Sequence, residues 1–353
     1  MLQNFKLALS KKRDIPEVTD IRDEDDIAFL AESKASLELL EDVRQVKLKS
    51  FHFRKKIGIG LATILLPVLG YADYWLVFLR RAGDDDSGAG LSVMFIMFLY
   101  AWVTSPKRQY AKKYKHIILP KIAKLFGDFS YRANGKMSAS KMRPSKIFPS
   151  FDRYRSEDYF VGTYKSVDIE FSEIHLEKES RDSDGDRTYT TVFKGLAILL
   201  DMQSKKFYGH TFIDRDKGKI TEWFKEKSSQ MKRANLVDPE FEEIFDVYTN
   251  DQVEARYLID PVMMERLKGL QDQYEGETMT AAFYDSKMLV LIKSRYNYFE
   301  PADLEIPASD PRSILQMKKE IGEILSLIDR LSLYDPQKVH EQNEAAPIKD
   351  GAA

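Results

Sequence analysis

Glu173, His175 and Glu177 are the residues whose types and spacing come nearest to a reactive set. They hold alternate positions in Ser166-Val-Asp-Ile-Glu-Phe-Ser-Glu-Ile-His-Leu-Glu177, which alternates polar and apolar residues for most of its length. A strand there projects all three from one face, and one imidazole between two carboxylates is a donor set for a divalent metal. A solvated polar face explains the same pattern, and both readings stand. A hydrolase would have to work from this face, because Walker A, dinucleotide-binding, nucleophile-elbow and paired zinc-ligand patterns are missing. Asp182-Ser-Asp184-Gly185-Asp186 resembles the opening of a calcium loop. Its glycine comes too early and Phe193 stands where a bidentate Glu is needed, so it reads as a hairpin tip. His52, His116, His210 and His340 form no motif, no cofactor signature is present, and the chain leans away from catalysis.

Four other groups could bind rather than react. Asp73 is an ionisable residue inside an apolar run, which marks an ion or proton site or else an acid that pairs with Arg80 about two turns further on. Gly58 and Ala62 make a small-xxx-small pair, open to a second copy of the chain or to its own second apolar run. Asp251, Glu254 and Arg256 fall between two expected short strands, as an ion pair fixing the turn or as a surface for a protein partner. Lys107, Arg108, Lys112, Lys113 and Lys115 open a stretch, Pro106 to Ser150, with twelve Lys or Arg and one acid, Asp128. At about 1 kcal/mol per basic residue such a stem holds anionic lipid headgroups. Asp14 to Asp42, with eleven acids against Arg22 and Lys34, is the alternative counter-charge. The stretch carries no nucleic-acid-binding module, and no nucleic-acid partner is expected.

These groups hang on an apolar hairpin, residues 57–105, with spans at about 57–79 and 88–105 joined by Gly83-Asp-Asp-Asp-Ser-Gly88. The first run is long enough for a hydrocarbon core of about 30 Å. The second, Leu91 to Thr104, reaches that length only with Gly88 to Gly90 and Ser105. A buried core helix or re-entrant segment is the alternative. Tyr71, Tyr74, Trp75, Tyr100 and Trp102 fall where interfacial aromatics belong. Arg54, Lys55 and Lys56 before the hairpin and the basic cluster after it place both termini in the cytoplasm, with Asp84 to Asp86 outside; Arg80 and Arg81 oppose this more weakly.

With 353 residues, 31% charged, and a mean hydropathy of -0.41, the remainder reads as soluble and large enough for a packed core. Cysteine is absent, which excludes disulfides and thiolate metal sites. No cleavable signal peptide is expected, since no apolar segment precedes residue 57. Residues 1–24 and 335–353 are expected to be disordered, 25–56 an amphipathic helix, 106–150 a basic helical stem and connector, and 151–334 an α+β domain. In the stem Pro120 should kink or end the helix. Within the domain, 166–177, 188–200 and 206–213 read as an antiparallel meander, 241–249 and 253–258 as short strands, and 278–284 with 287–293 as a hairpin. Helices are expected from Pro261 and over Ile314 to Leu331.

Phe193-Lys-Gly-Leu, Phe207-Tyr-Gly-His-Thr and above all Phe245-Asp-Val-Tyr-Thr-Asn-Asp-Gln-Val-Glu-Ala-Arg-Tyr-Leu-Ile-Asp-Pro261 resemble the bacterial membrane proteins grouped as domain of unknown function 3137. The resemblance covers roughly residues 50–310 and implies two N-terminal spans with a cytoplasmic α+β domain; it brings no activity and no catalytic residue. The expected protein is a multi-pass inner-membrane module whose cytoplasmic domain binds a protein or an anionic lipid surface. A membrane-bound hydrolase, or an oligomeric ion pathway through Asp73, are the alternatives.

Overall fold

The computed structural model describes residues 23–80, 90–181, 185, 187–202, 206–215, 231–273, 278–294 and 296–331. The Gly83 to Gly88 turn, Asp182, Asp184, Asp186 and the expected disordered termini lie outside them, apart from Asp23 and Glu24. The chain divides into two compact units. Of the described residues, the first holds 23–118 and 300–316, the second 119–299 and 317–331.

In the first unit, the expected amphipathic helix and first apolar run are one continuous helix, α1 (Glu24–Arg80, 57 residues). Its first turn carries Glu24, Asp25 and Asp26, which suit the positive end of the helix dipole. The buried stripe is Phe29, Ser33, Leu37, Leu40 and Arg44, while the apolar Ile27 and Val46 are exposed. The second helix, α2 (Leu91–Leu125, 35 residues), runs antiparallel to α1. Lys47 donates to Gln109 Oε1 at 2.6 Å and Arg54 to the Trp102 carbonyl at 3.1 Å. Residues 300–316 lie along this pair, where Arg44 donates to the Leu304 carbonyl and Glu41 accepts from the Ala308 amide, both at 2.8 Å. Pro120 does not end α2. The proline removes one ladder bond, and its neighbours Ile118, Leu119, Ile122 and Ala123 are at most 1% exposed.

The second unit is a nine-stranded antiparallel sheet in the order β1-β2-β3-β4-β9-β8-β5-β7-β6. Its strands are β1 (Asp128–Arg132), β2 (Arg153–Tyr164), β3 (Val167–Arg181), β4 (Arg187–Asp201), β5 (Thr211–Asp214), β6 (Lys232–Arg233), β7 (Asp246–Thr249), β8 (Thr278–Tyr284) and β9 (Lys287–Lys293). The meander is corrected. β3 and β4 pair as expected, but β9 lies beside β4, and the third segment shortens to β5 on the far side of β8. The hairpin β8-β9 has the expected bounds. β1 and β2 were missed, β1 falling inside the stretch expected as helical stem and connector. Around the sheet stand α3 (Ala139–Met142), α4 (Pro239–Ile244), α5 (Gln252–Leu258), α6 (Pro261–Gln273) and α7 (Pro311–Arg330). The expected strand 241–249 is therefore half helix, and 253–258 is wholly helical. Asp238 and Asp251 override β propensity there by accepting from the first amides of α4 and α5.

One sheet face carries Phe160 and Phe171, stacked at 4.6 Å, with Phe299 against them. Glu320 of α7 accepts from the Phe299 amide at 2.6 Å and so ties the helix to that face. The opposite face, with Ile174, Leu176, Phe193, Ala197, Leu199, Phe212, Ala282, Leu289 and Leu291, packs under a strap running from Met137 to Phe151. Gly195 makes the β4 to β9 contact possible. An added Cβ would stand 1.9 Å from the Ile292 carbonyl oxygen, and its φ is 152°.

Candidate functional site

The strap, expected as a mere connector, is the element that shapes a site. Met137, Met142, Ile147 and Phe148 are buried on its underside. Its carbonyls are held from below. Tyr154 donates to Met137 at 2.7 Å, Tyr284 to Lys141 at 2.8 Å, and the Nε2 proton of His210 to Ser145 at 2.7 Å. Burial pushes the His210 imidazole below its ordinary pKa, consistent with a neutral ring donating from one nitrogen. After a 3-10 turn, Arg143–Ser145, Lys146 takes a left-handed conformation (φ 60°) and the strap turns toward the sheet's end.

Where the strap thins, a cavity of about 420 Å³ opens, within the range of small-molecule pockets. Strand pairing fixes its floor. The inner rung is Asp214, Thr280 and Leu291; the outer rung is Thr278 and Lys293. Val192 and Phe193 of β4, Lys178 of β3 and strap residues Lys146 to Ser150 complete it. Val192 is the extra residue of a bulge, since Leu176 pairs with Phe193 and Glu177 with Thr191. Lys146, Lys178 and Lys293 are exposed around the opening, and Lys178 donates to Ser150 Oγ at 3.3 Å. Asp214 is buried and accepts from Thr280 Oγ1 at 3.4 Å.

None of the candidate site residues named from the sequence lines this cavity; Phe193, which opens one of the motifs carrying the family resemblance, does. Glu173, His175 and Glu177 do share a strand, but all three are buried, so the solvated-face reading is corrected. Glu173 accepts from the Tyr298 amide at 3.2 Å, His175 Nε2 bonds Thr191 Oγ1 at 2.9 Å, and Arg155 lies 3.6 Å from Glu177. Among the described residues no group of three or more His, Asp or Glu side chains is placed to hold a metal. Burial lowers the pKa of His175.

Asp73 is occupied as a helix cap: its carboxylate accepts from the Leu91 amide at 2.6 Å, the Ser92 amide at 2.9 Å and the Ser92 hydroxyl at 2.6 Å. Gly58 faces the chain's own second helix, since a Cβ there would meet Val103 Cγ2 at 2.9 Å; Ala62 is half-buried. Asp251 caps α5, and Glu254 clamps the Tyr208 and Gly209 amides at 2.9 and 2.7 Å. Among the described residues the expected turn-fixing ion pair does not appear: Arg256 is exposed and donates to the Asn235 carbonyl at 3.4 Å. In the basic stem Lys107 pairs with Asp303 and Lys115 with Glu300, Arg108 donates to the Ala101 carbonyl, and Lys112 and Lys113 are exposed.

Sequence reading missed the exposed apolar residues around α5: Val253 (78% exposed) and Tyr257 (61%) one turn apart, with Tyr208 (88%) and Val237 beside the loops it clamps. It also missed the lysine cavity, whose parts are too far apart in sequence to show a spacing.

The fold and site define an α+β protein with a long apolar helix, a nine-stranded antiparallel sheet and a cationic pocket under a strap. Residues 191–333 match the family described as protein of unknown function (DUF3137). The match holds all three motifs that carry the resemblance and stops short of the helical hairpin. No curated protein matches. Among solved structures, the crystal structure of the mycobacterial trehalose monomycolate transport factor A, TtfA, is similar at 12% identity over 59% of this chain and 89% of that one, with a TM-score of 0.28, too loose to argue from.

Proposed function

We propose that this chain is a membrane-anchored binding module of the bacterial inner membrane. In this reading α1 and α2 form a two-span hairpin, both termini and the sheet unit are cytoplasmic, and the sheet unit takes a protein partner. The observation that supports the anchor is the outward apolar surface of α1: 6% of its most apolar stretch is buried, whereas a soluble core helix would bury most of it. Ile59, Ile64, Val68, Tyr71 and Tyr74 point outward along it, as does Phe98 on α2. Because the chain has no cysteine, single-cysteine variants report topology directly. Ser87→Cys should react with an impermeant maleimide on spheroplasts, and Val253→Cys only after lysis. The reverse pattern overturns the topology.

The partner surface is the α5 face. Tyr257 and Arg256 are of the residue types enriched at interface centres, Val253 extends the exposed apolar patch, and Arg256 suits an acidic group on the partner. A photo-crosslinker at position 257 should capture one protein in cells, and Val253→Asp with Arg256→Glu should abolish that adduct without lowering the melting temperature. An adduct of equal yield in the double variant removes the face from the interface.

A further inference from the structure

We infer that the cavity under the strap binds a small amphiphile carrying an anionic carboxylate or phosphate head. The cavity shares no residue with the α5 face, so this site and the partner surface stand or fall separately. Its walls divide by chemistry. Ile147, Phe148, Val192, Phe193 and Leu291 supply an apolar interior, enough for a short alkyl chain or flat ring but not for a fully polar solute. Lys146, Lys178 and Lys293 come from the strap, β3 and β9, and converge on one opening.

Three cations facing a single carboxylate, Asp214, leave the lining with an excess of two positive charges, in a chain whose net charge is -2. Neither Lys146 nor Lys293 is spent on an ion pair among the described residues, in contrast to Lys107, Lys115, Lys165 and Lys268. Among the described residues Lys178 holds the Ser150 hydroxyl alone, a contact that an anion outcompetes.

Pairing also gives the ligand a direction. Asp214 sits on the inner rung beside Thr280, and Lys293 on the outer rung beside Thr278. A carboxylate or phosphate is repelled from the inner rung and attracted to the outer one. The head therefore lies at the lysines with the Thr278 and Ser150 hydroxyls as further donors, and the apolar part points inward over Phe193 and Leu291.

The test uses the full chain in nanodiscs and titration calorimetry, with empty nanodiscs subtracted. Octyl phosphate is the probe; inorganic phosphate and 1-octanol supply its head and tail alone. Saturable binding of octyl phosphate is expected, at least tenfold tighter than either fragment. Lys178→Glu with Lys293→Glu, both exposed positions, should weaken it at least tenfold while the melting temperature of the unliganded protein holds. Lys112→Glu with Lys113→Glu, which removes two cations outside the cavity, should leave it unchanged. Absence of saturable binding, equal affinity for inorganic phosphate, or equal loss in both double variants overturns the proposal.

Discussion

Gly195→Ala is expected to cost the sheet unit about 3 kcal/mol or more, lowering its melting temperature by roughly 6–12 °C. The new methyl would stand 1.9 Å from the Ile292 carbonyl oxygen and 2.8 Å from the Ser294 amide, backbone atoms of β9 and of the residue just after it. No rotamer change relieves such a clash, so the β4 to β9 pairing itself must open. The sheet is vulnerable there because Gly195 pairs with Lys293 at the end of the ladder that joins the β1-β4 half to the β8-β9 hairpin. Gly269→Ala, in α6 with open space around its Cβ position, is the control and should stabilise slightly, as alanine does in a helix. Thermal unfolding that moves equally little in both variants would show that the strands have room to give at 195.

Arg44→Met is expected to destabilise the helical unit by about 3 kcal/mol, because it strands a carboxylate and a carbonyl that the guanidinium now serves. Arg44 is buried, donates to both oxygens of Glu41 at 2.6 and 2.8 Å, and reaches the Leu304 carbonyl. The Arg44 hydrogen bond, chiefly, brings the Glu41 carboxyl from the ordinary 4.5 down to about 2. A depressed folded-state value means the stabilisation is fully present above about 4.5 and drains away as pH falls toward 2. Glu41 is partly exposed, so solvent screening trims the gain to about 2 kcal/mol. Hydrogen exchange at the Ala308 amide, which Glu41 accepts, reads the effect locally. Its protection should fall across that acid window in the native chain and be low at every pH in Arg44→Met. The same acid dependence in both proteins would separate Glu41 from Arg44.

Local pattern carried some of this architecture and long-range pairing the rest. The β8-β9 hairpin was legible because Asp285-Ser286 is a tight turn between two short apolar runs, and both residues take positive φ there. The β5 segment was misplaced because nothing in Lys206 to Ile213 says that it skips β4 and β9 to join β8. α5 was misread because Val253 and Tyr257 favour strands, while the cap from Asp251 and the Glu254 clamp are tertiary facts. The buried Arg44 was unreadable for a similar reason: its partner at Leu304 lies 260 residues away. The cavity under the strap was the least legible. Lys146, Lys178 and Lys293 are unremarkable one by one, and only the β3-β4-β9 order and the strap bring them together.

The Asp73 cap bears on how the hairpin is made. A helix starting inside the hydrocarbon core of a bilayer exposes its first amides to a medium that offers no acceptors, at several kcal/mol for each unsatisfied group. Here the acceptor for the Leu91 and Ser92 amides belongs to the other helix. On the spanning reading, α1 alone carries a stranded carboxylate and α2 alone carries stranded amides, and each cancels the other's debt only when they arrive together. On that reading the two helices are suited to enter the bilayer as one piece, each supplying the group the other lacks.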